Sequence, residues 1–182
     1  MKLKFAIICT SLYAGALAVS PLAAAQTEAA STTSANPLAQ ADRDFVQAAS
    51  MSSSTEIDAA KLATKHSQDK DVKSFAHHMM LDHTKLTVQL KMAAPHGVTV
   101  PKDNSDTELI GSLSKLNNKA FDKEYITKVG LEGHKEAVAA FEKEIANGQD
   151  AKLKKAAQDA LPTIQKHYQM AQDLAAKKGV SE

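Results

Sequence analysis

Val72–Leu90 reads VKSFAHHMMLDHTKLTVQL. Apolar or small residues recur at Val72, Phe75 and Ala76, Met79, Leu86 and Leu90, the three-four spacing that lines one face of a helix. His83 falls in the same line. Its imidazole therefore points where a leucine would be expected, and there it demands hydrogen bonds or a ligand. The other helical stretches are read for what they set opposite it.

The chain has 182 residues, 43% of them apolar and 24% charged, which is enough for one domain with a real core and short for two. There is no tryptophan, and no stretch alternates as a half-buried strand would. Alanine, lysine, leucine and glutamine dominate, and glycine and proline fall mostly between long segments. The fold class expected is all-α.

Residues 1–25 read as a targeting signal. Lys2 and Lys4 precede an apolar run from Phe5 to Val19, and Ala23-Ala24-Ala25 offers a small-residue cleavage site. A retained anchor is the competing reading. It is weakened by Thr10, Ser11 and Ser20, because a span needs about 20 apolar residues. Cleavage near Ala25 removes the single cysteine, Cys9, and takes the formal charge from +1 to −1. The mature protein is then expected to be periplasmic or otherwise exported, without a stable membrane span or a disulfide. Its near-neutral charge gives no sign of a nucleic-acid partner. A protein partner and the oligomeric state are not legible.

Residues 26–40, QTEAASTTSANPLAQ, are small, polar and aperiodic, and read as a flexible linker. The helical domain is expected over 41–179. The first helix should start at an Asp42 cap and run to about His66, with Phe45, Ala49, Ser52, Glu56, Ala59 and Ala63 inward. The second should run from the Ser67–Asp71 turn to about Ala94. A loop, PHGVTVPKDN, leads to a capping box at Ser105 and Glu108, which opens a short helix carrying Leu109, Ile110, Leu113 and Leu116. The third long helix should run from the Asn118 region to Asn147, with Ile126, His134, Val138, Phe141 and Ile145 inward and Gly148 as its stop. Gly130 and Gly133 are either tolerated surface glycines or make room beside His134. The last helix should run from an Asp150 cap to Gly179, carrying Leu153, Ala157, Ala160, Ile164, His167, Ala171 and Leu174 inward, with Pro162 expected to bend it. The connection between the second and third long helices is long enough either to stay at one end or to cross the bundle.

Glu56, His83, His134 and His167 thus occupy the inward line of four different helices, each near its middle. Counted from the turns, the paired positions differ by roughly 5 and 8 Å along the axis at 1.5 Å per residue, so the four should meet. One reading is a site for one transition-metal ion, zinc, iron or copper. The other is a buried polar cluster in which Glu56 accepts from the histidines. His77, His78, Met79 and Met80 raise a copper(I) site, although His77 and His78 diverge on a helix and methionine at core spacing usually packs. His66 and His96 read as helix-end surface residues, with His96 placed to cap carbonyls. No HExxH, phosphate-cradling glycine loop or G-x-S-x-G occurs, so support for an enzyme is thin and no catalytic residue is assigned.

EIDAAKLA around Glu56, VKSFAHHMMLDHTK around His83, GHKEAVAAFEKE around His134 and LPTIQKHYQMA around His167 resemble the bacterial ferritin-like family known as domain of unknown function 4142. The resemblance spans Asp42 to about Lys177. It implies a ferritin-like four-helix bundle with a long crossover carrying a short extra helix, export to the envelope, and no established biochemical role. Glu56, His83, His134 and His167 match the family's inward acid and histidines. A di-iron site of this fold takes Glu-x-x-His pairs. Met80 and Ile164 stand three residues before His83 and His167, which argues against an iron pair. Gly133 stands where the family tends to place an acid.

Three functions follow as expectations. The first is an exported bundle holding one metal ion through the four residues. The second is a non-catalytic envelope or stress-related structural protein without metal, and the third a metal-dependent redox enzyme.

Overall fold

The computed structural model describes residues 38–181, all of whose regular structure is helical. The expected signal peptide and most of the expected linker lie outside the described residues. The elements are α1 (Gln40–His66), α2 (Lys70–Ala93), α3 (Thr107–Leu113), α4 (Asn118–Glu124), a π-helical segment (Tyr125–Gly133), α5 (His134–Asn147) and α6 (Ala151–Lys178). No helix among the described residues is long and apolar enough to cross a membrane.

Contacts between helix ends define the chain path. The ring of His66, at the end of α1, stacks on Phe121 and its Nδ1 lies 2.8 Å from the Leu116 carbonyl, while Phe45 meets Phe141 edge-on at 5.0 Å. α1 is therefore antiparallel to the α4–α5 run. Lys178, at the end of α6, pairs with Asp69 and Asp71 at the start of α2, so α6 and α2 are antiparallel too. The segment 94–117 consequently crosses the whole length of the domain. It is held to α1 on the way: the Asn104 amide lies 3.0 Å from both the Ser50 and Ser54 hydroxyls, Ser105 donates to Asp58, and the Asp106 amide donates to Thr55.

The helix starts are set by aspartates that accept from the first free amides. Asp69, Asp106 and Asp150 each take two such bonds. Two expectations shift here. Asp42 lies inside α1 and is fully buried; it caps a different element, because its Oδ1 accepts from the Gln149 and Asp150 amides in the α5–α6 turn. The short helix is capped by Asp106, one residue after Ser105, whose hydroxyl is already taken by Asp58. His66 also departs from expectation, since its bond to Leu116 and its stacking on Phe121 hold it against the crossover. α6 continues through Pro162 and ends, as its glycine suggested, with Gly179 in the left-handed region at φ 65°.

The core has two apolar parts. One gathers Ala59, Ala63, Val72, Phe75, Met79, Phe121, Tyr125, Ile126, Ala171 and Leu174. The other gathers Phe45, Ala49, Leu86, Leu90, Ala137, Phe141, Leu153, Ala157 and Ile164. Along each of the four long runs the residue between the two parts is polar: Glu56, His83, His134 and His167. Burial follows the expected lines with small offsets. Ser53 is buried and Ser52 half-buried in α1, and in α5 Ala137 and Glu144 lie inside while Val138 and Ile145 flank them.

Candidate metal centre

The polar layer is sealed from solvent. Glu56 is 3% exposed, His83 and His134 1% each, and His167 0%. The three imidazoles form a triangle with centroids 5.3 Å (His83–His167), 5.5 Å (His134–His167) and 5.7 Å (His83–His134) apart. One nitrogen from each ring lies within 4.8 Å of the other two.

Each ring is oriented from behind by a different group. His134 follows the π-helical segment, and its Nδ1 lies 3.0 Å from the Gly130 carbonyl and 3.1 Å from that of Val129. Carbonyls only accept, so Nδ1 carries the proton and Nε2 the lone pair. His167 Nε2 lies 2.9 Å from Asp82 Oδ2 and donates to it, which leaves the lone pair on Nδ1. His83 Nδ1 faces the Ser53 hydroxyl at 3.4 Å. The nitrogens without any hydrogen-bond partner are His83 Nε2, His134 Nε2 and His167 Nδ1, one per ring and all buried. Buried polar atoms are nearly always paired, and three orphans of one chemical kind in one place call for an explanation.

Gly130 sets the spacing of this layer. A side chain there would put its Cβ 3.2 Å from the Ala171 Cβ, so the missing methyl lets α6, and His167 with it, pack close to the π-helical segment. Gly130 is therefore not a surface glycine, and the room it makes is beside Ala171 of α6 instead of beside His134. A wide π turn beside a polar cluster is a frequent feature of functional sites.

Burial governs the electrostatics. Desolvation pushes His83 well below the ordinary imidazole value, with His134 and His167 adding repulsion. It lowers His134 to about 4, against the opposing pull of the Val129 and Gly130 carbonyls. His167 is lowered as well, with Asp82 working in the other direction. All three rings are therefore neutral at pH 7, the state in which an imidazole can ligate. Burial raises Glu56 well above the usual carboxylate range.

Glu56 stands apart from the triangle. Its Oε1 lies 3.3 Å from His134 Nδ1, on the side of the ring away from Nε2, and its Oε2 has no partner. The structure thus brings together the three histidines and places the acid behind one of them. It also adds residues that periodicity did not single out: Ser53, Asp82 and the carbonyls of Val129 and Gly130. Asp82 had a legible signal, since it sits one residue before His83 and four after His78, whose Nε2 is 3.3 Å from Asp82 Oδ2. His78, Asp82 and His167 form a second, half-buried group of possible ligands. His77 is exposed and Met79 packs in the core, so they do not form a joint histidine-methionine site.

The model of the DUF4142 family, a domain of unknown function, matches residues 27–174. The chain belongs to this family. None of the curated proteins matches this DUF4142 chain. Among solved structures it is similar to the "putative secreted protein DUF305" of Streptomyces coelicolor, with 16% identity and a TM-score of 0.63, over 78% of the DUF4142 chain and 94% of the other. At that identity the likeness concerns the helical fold alone. The DUF4142 assignment names no activity, so function rests on the site.

Proposed function

We propose that this DUF4142 protein is an exported ferritin-like bundle that holds one divalent transition-metal ion through His83 Nε2, His134 Nε2 and His167 Nδ1. The observation that carries the reading is the orphan nitrogen on each of three buried, neutral rings whose opposite nitrogens face a hydroxyl, two carbonyls and a carboxylate. Metal-bound histidines are oriented in this way, by a partner on the far nitrogen that fixes the tautomer. Ligand nitrogens around a tetrahedral ion at ~2.0–2.1 Å stand about 3.4 Å apart, so binding would draw the rings slightly inward. Three imidazoles suit zinc, copper(II) or iron(II) and do not suit magnesium or calcium, which take oxygen. Glu56 stays near as an acid behind His134.

Two further parts of the reading have their own support. The single long crossover between antiparallel helix pairs is the connection found in ferritin-like bundles. Export rests on Lys2, Lys4, the apolar run and Ala23–Ala25.

The test is elemental analysis of the mature protein from its native compartment, with thermal melts before and after chelation. One ion per chain and a melt that drops on chelation support the reading. Absence of metal, failure to take up zinc, cobalt or copper in vitro, and an unmoved melt would refute it in favour of a satisfied polar core.

A further inference from the structure

A cleft of about 300 Å³ opens between α1, the start of α3 and the π-helical segment with α5. Its wall contains Glu56, the acid that stands behind His134. Gly133 lines the cleft beside it, and a Cβ there would lie 3.3 Å from the Lys128 carbonyl oxygen and 3.7 Å from Glu56 Oε1. Above Glu56 the lining includes Ser52, and the charged lining groups are Asp106, Lys128, Glu132 and Glu136. Lys128 is engaged by Glu132 at 2.8 Å, so the carboxylates of Asp106 and Glu136 leave the cleft with an excess of negative charge. None of the three histidines lines this or any other described cavity.

We propose that this cleft is the receiving site for a divalent cation, where the ion is drawn by Asp106 and Glu136, meets Glu56, and passes beside His134 into the histidine triangle. The proposal rests on the metal reading above and adds the route. Two observations carry it independently of the acidic lining: Glu56 Oε2 is a buried oxygen without a partner, and Glu56 Oε1 lies 3.3 Å from one of the three rings, so one side chain links the cleft to the cluster. A cleft lined by one sign of charge raises the local concentration of its counter-ion and the rate of capture.

The experiment is stopped-flow uptake of Co²⁺ alone by the metal-free full chain. Ser52→Phe, which fills the cleft in front of Glu56, should slow uptake by roughly tenfold or more and leave the final occupancy unchanged. Glu136→Lys lies on the exposed rim and does not threaten folding; it should slow uptake several-fold at low salt, with the difference closing at high salt. Wild-type rates in both cleft variants would overturn the route while leaving the metal site standing. No cobalt uptake by the unmodified chain would overturn the metal reading and the route together.

Discussion

Two buried polar clusters interrupt the apolar core, and they solve the problem of burial in opposite ways. At the α1 start, Asp42 and Glu144 bring two carboxyls together, 0% and 2% exposed. Asp42 Oδ1 is satisfied by the Gln149 and Asp150 amides, and the contact between the two acids holds Glu144 up at about 7, behind burial as the larger cause. Asp42 Oδ2 and both Glu144 oxygens have no further partner, and a proton held between the two acids is what that pair can supply for itself. In the middle of the domain one nitrogen of each imidazole has a partner and the other has none. Both clusters carry unpartnered atoms, but of different kinds: two carboxyls can bridge through one proton, whereas the free nitrogens of His134 and His167 both carry lone pairs and cannot satisfy each other. That difference separates a polar device for joining helices from a candidate site.

The largest expected effect breaks the second cluster alone. In the His83→Ala, His167→Ala double variant, bound metal should fall from about one ion per chain to none, as read by elemental analysis. Chelation, which removes about 2.7 kcal/mol from the unmodified protein when free ion stands about 100-fold above its Kd, should no longer move the melt. Next comes Gly130→Leu, which drives a side chain into Ala171 and pushes α6 away. It should cost about 1–3 kcal/mol in urea unfolding and weaken metal binding at the same time.

The two clusters also differ in how stability follows pH, and the signs are opposite. His134 drops from 6.5 to about 4 on folding. The unfolded imidazole gains a proton that the folded one refuses, so this contribution is complete above pH 6.5 and is lost as pH falls toward 4. Glu144 rises from 4.5 to about 7. Its contribution is complete below pH 4.5 and is lost as pH rises through 7. In Glu144→Gln the amide donates to Asp42 at every pH, so metal-free stability should keep its acid-side loss and no longer decline toward neutrality, as followed by denaturant titration from acid to neutral pH. The smallest effect leaves the histidine cluster untouched: Asp150→Ala removes the α6 cap and should cost about 1 kcal/mol, with metal binding unchanged.

Most of the helical plan was legible because it depends on local rules. The inward line of α2, the uninterrupted line of α6, the Asp150 cap and the Gly179 stop follow from periodicity and capping chemistry, and the three histidines fall on those lines. What periodicity could not give was direction within the layer. Glu56 occupies the same stripe as the histidines, yet it meets His134 from behind, because the carboxyl group's place depends on the π-helical segment and on Gly133, which no spacing rule encodes. Asp42 was misread as a cap of its own helix for a similar reason: its acceptors' partners lie more than 100 residues away, at Gln149 and Asp150. The crossing direction of 94–117 rests on contacts such as Asn104 with Ser50 and Ser105 with Asp58, and these are likewise non-local.

The central claim concerns which nitrogens face inward, and imidazole ¹⁵N NMR of the protein reads them directly. The account predicts Nδ1–H on His134 and Nε2–H on His167 in the metal-free protein, with zinc shifting His83 Nε2, His134 Nε2 and His167 Nδ1 together at one equivalent. The opposite tautomers, or zinc that leaves all three of these nitrogens unmoved, would contradict it.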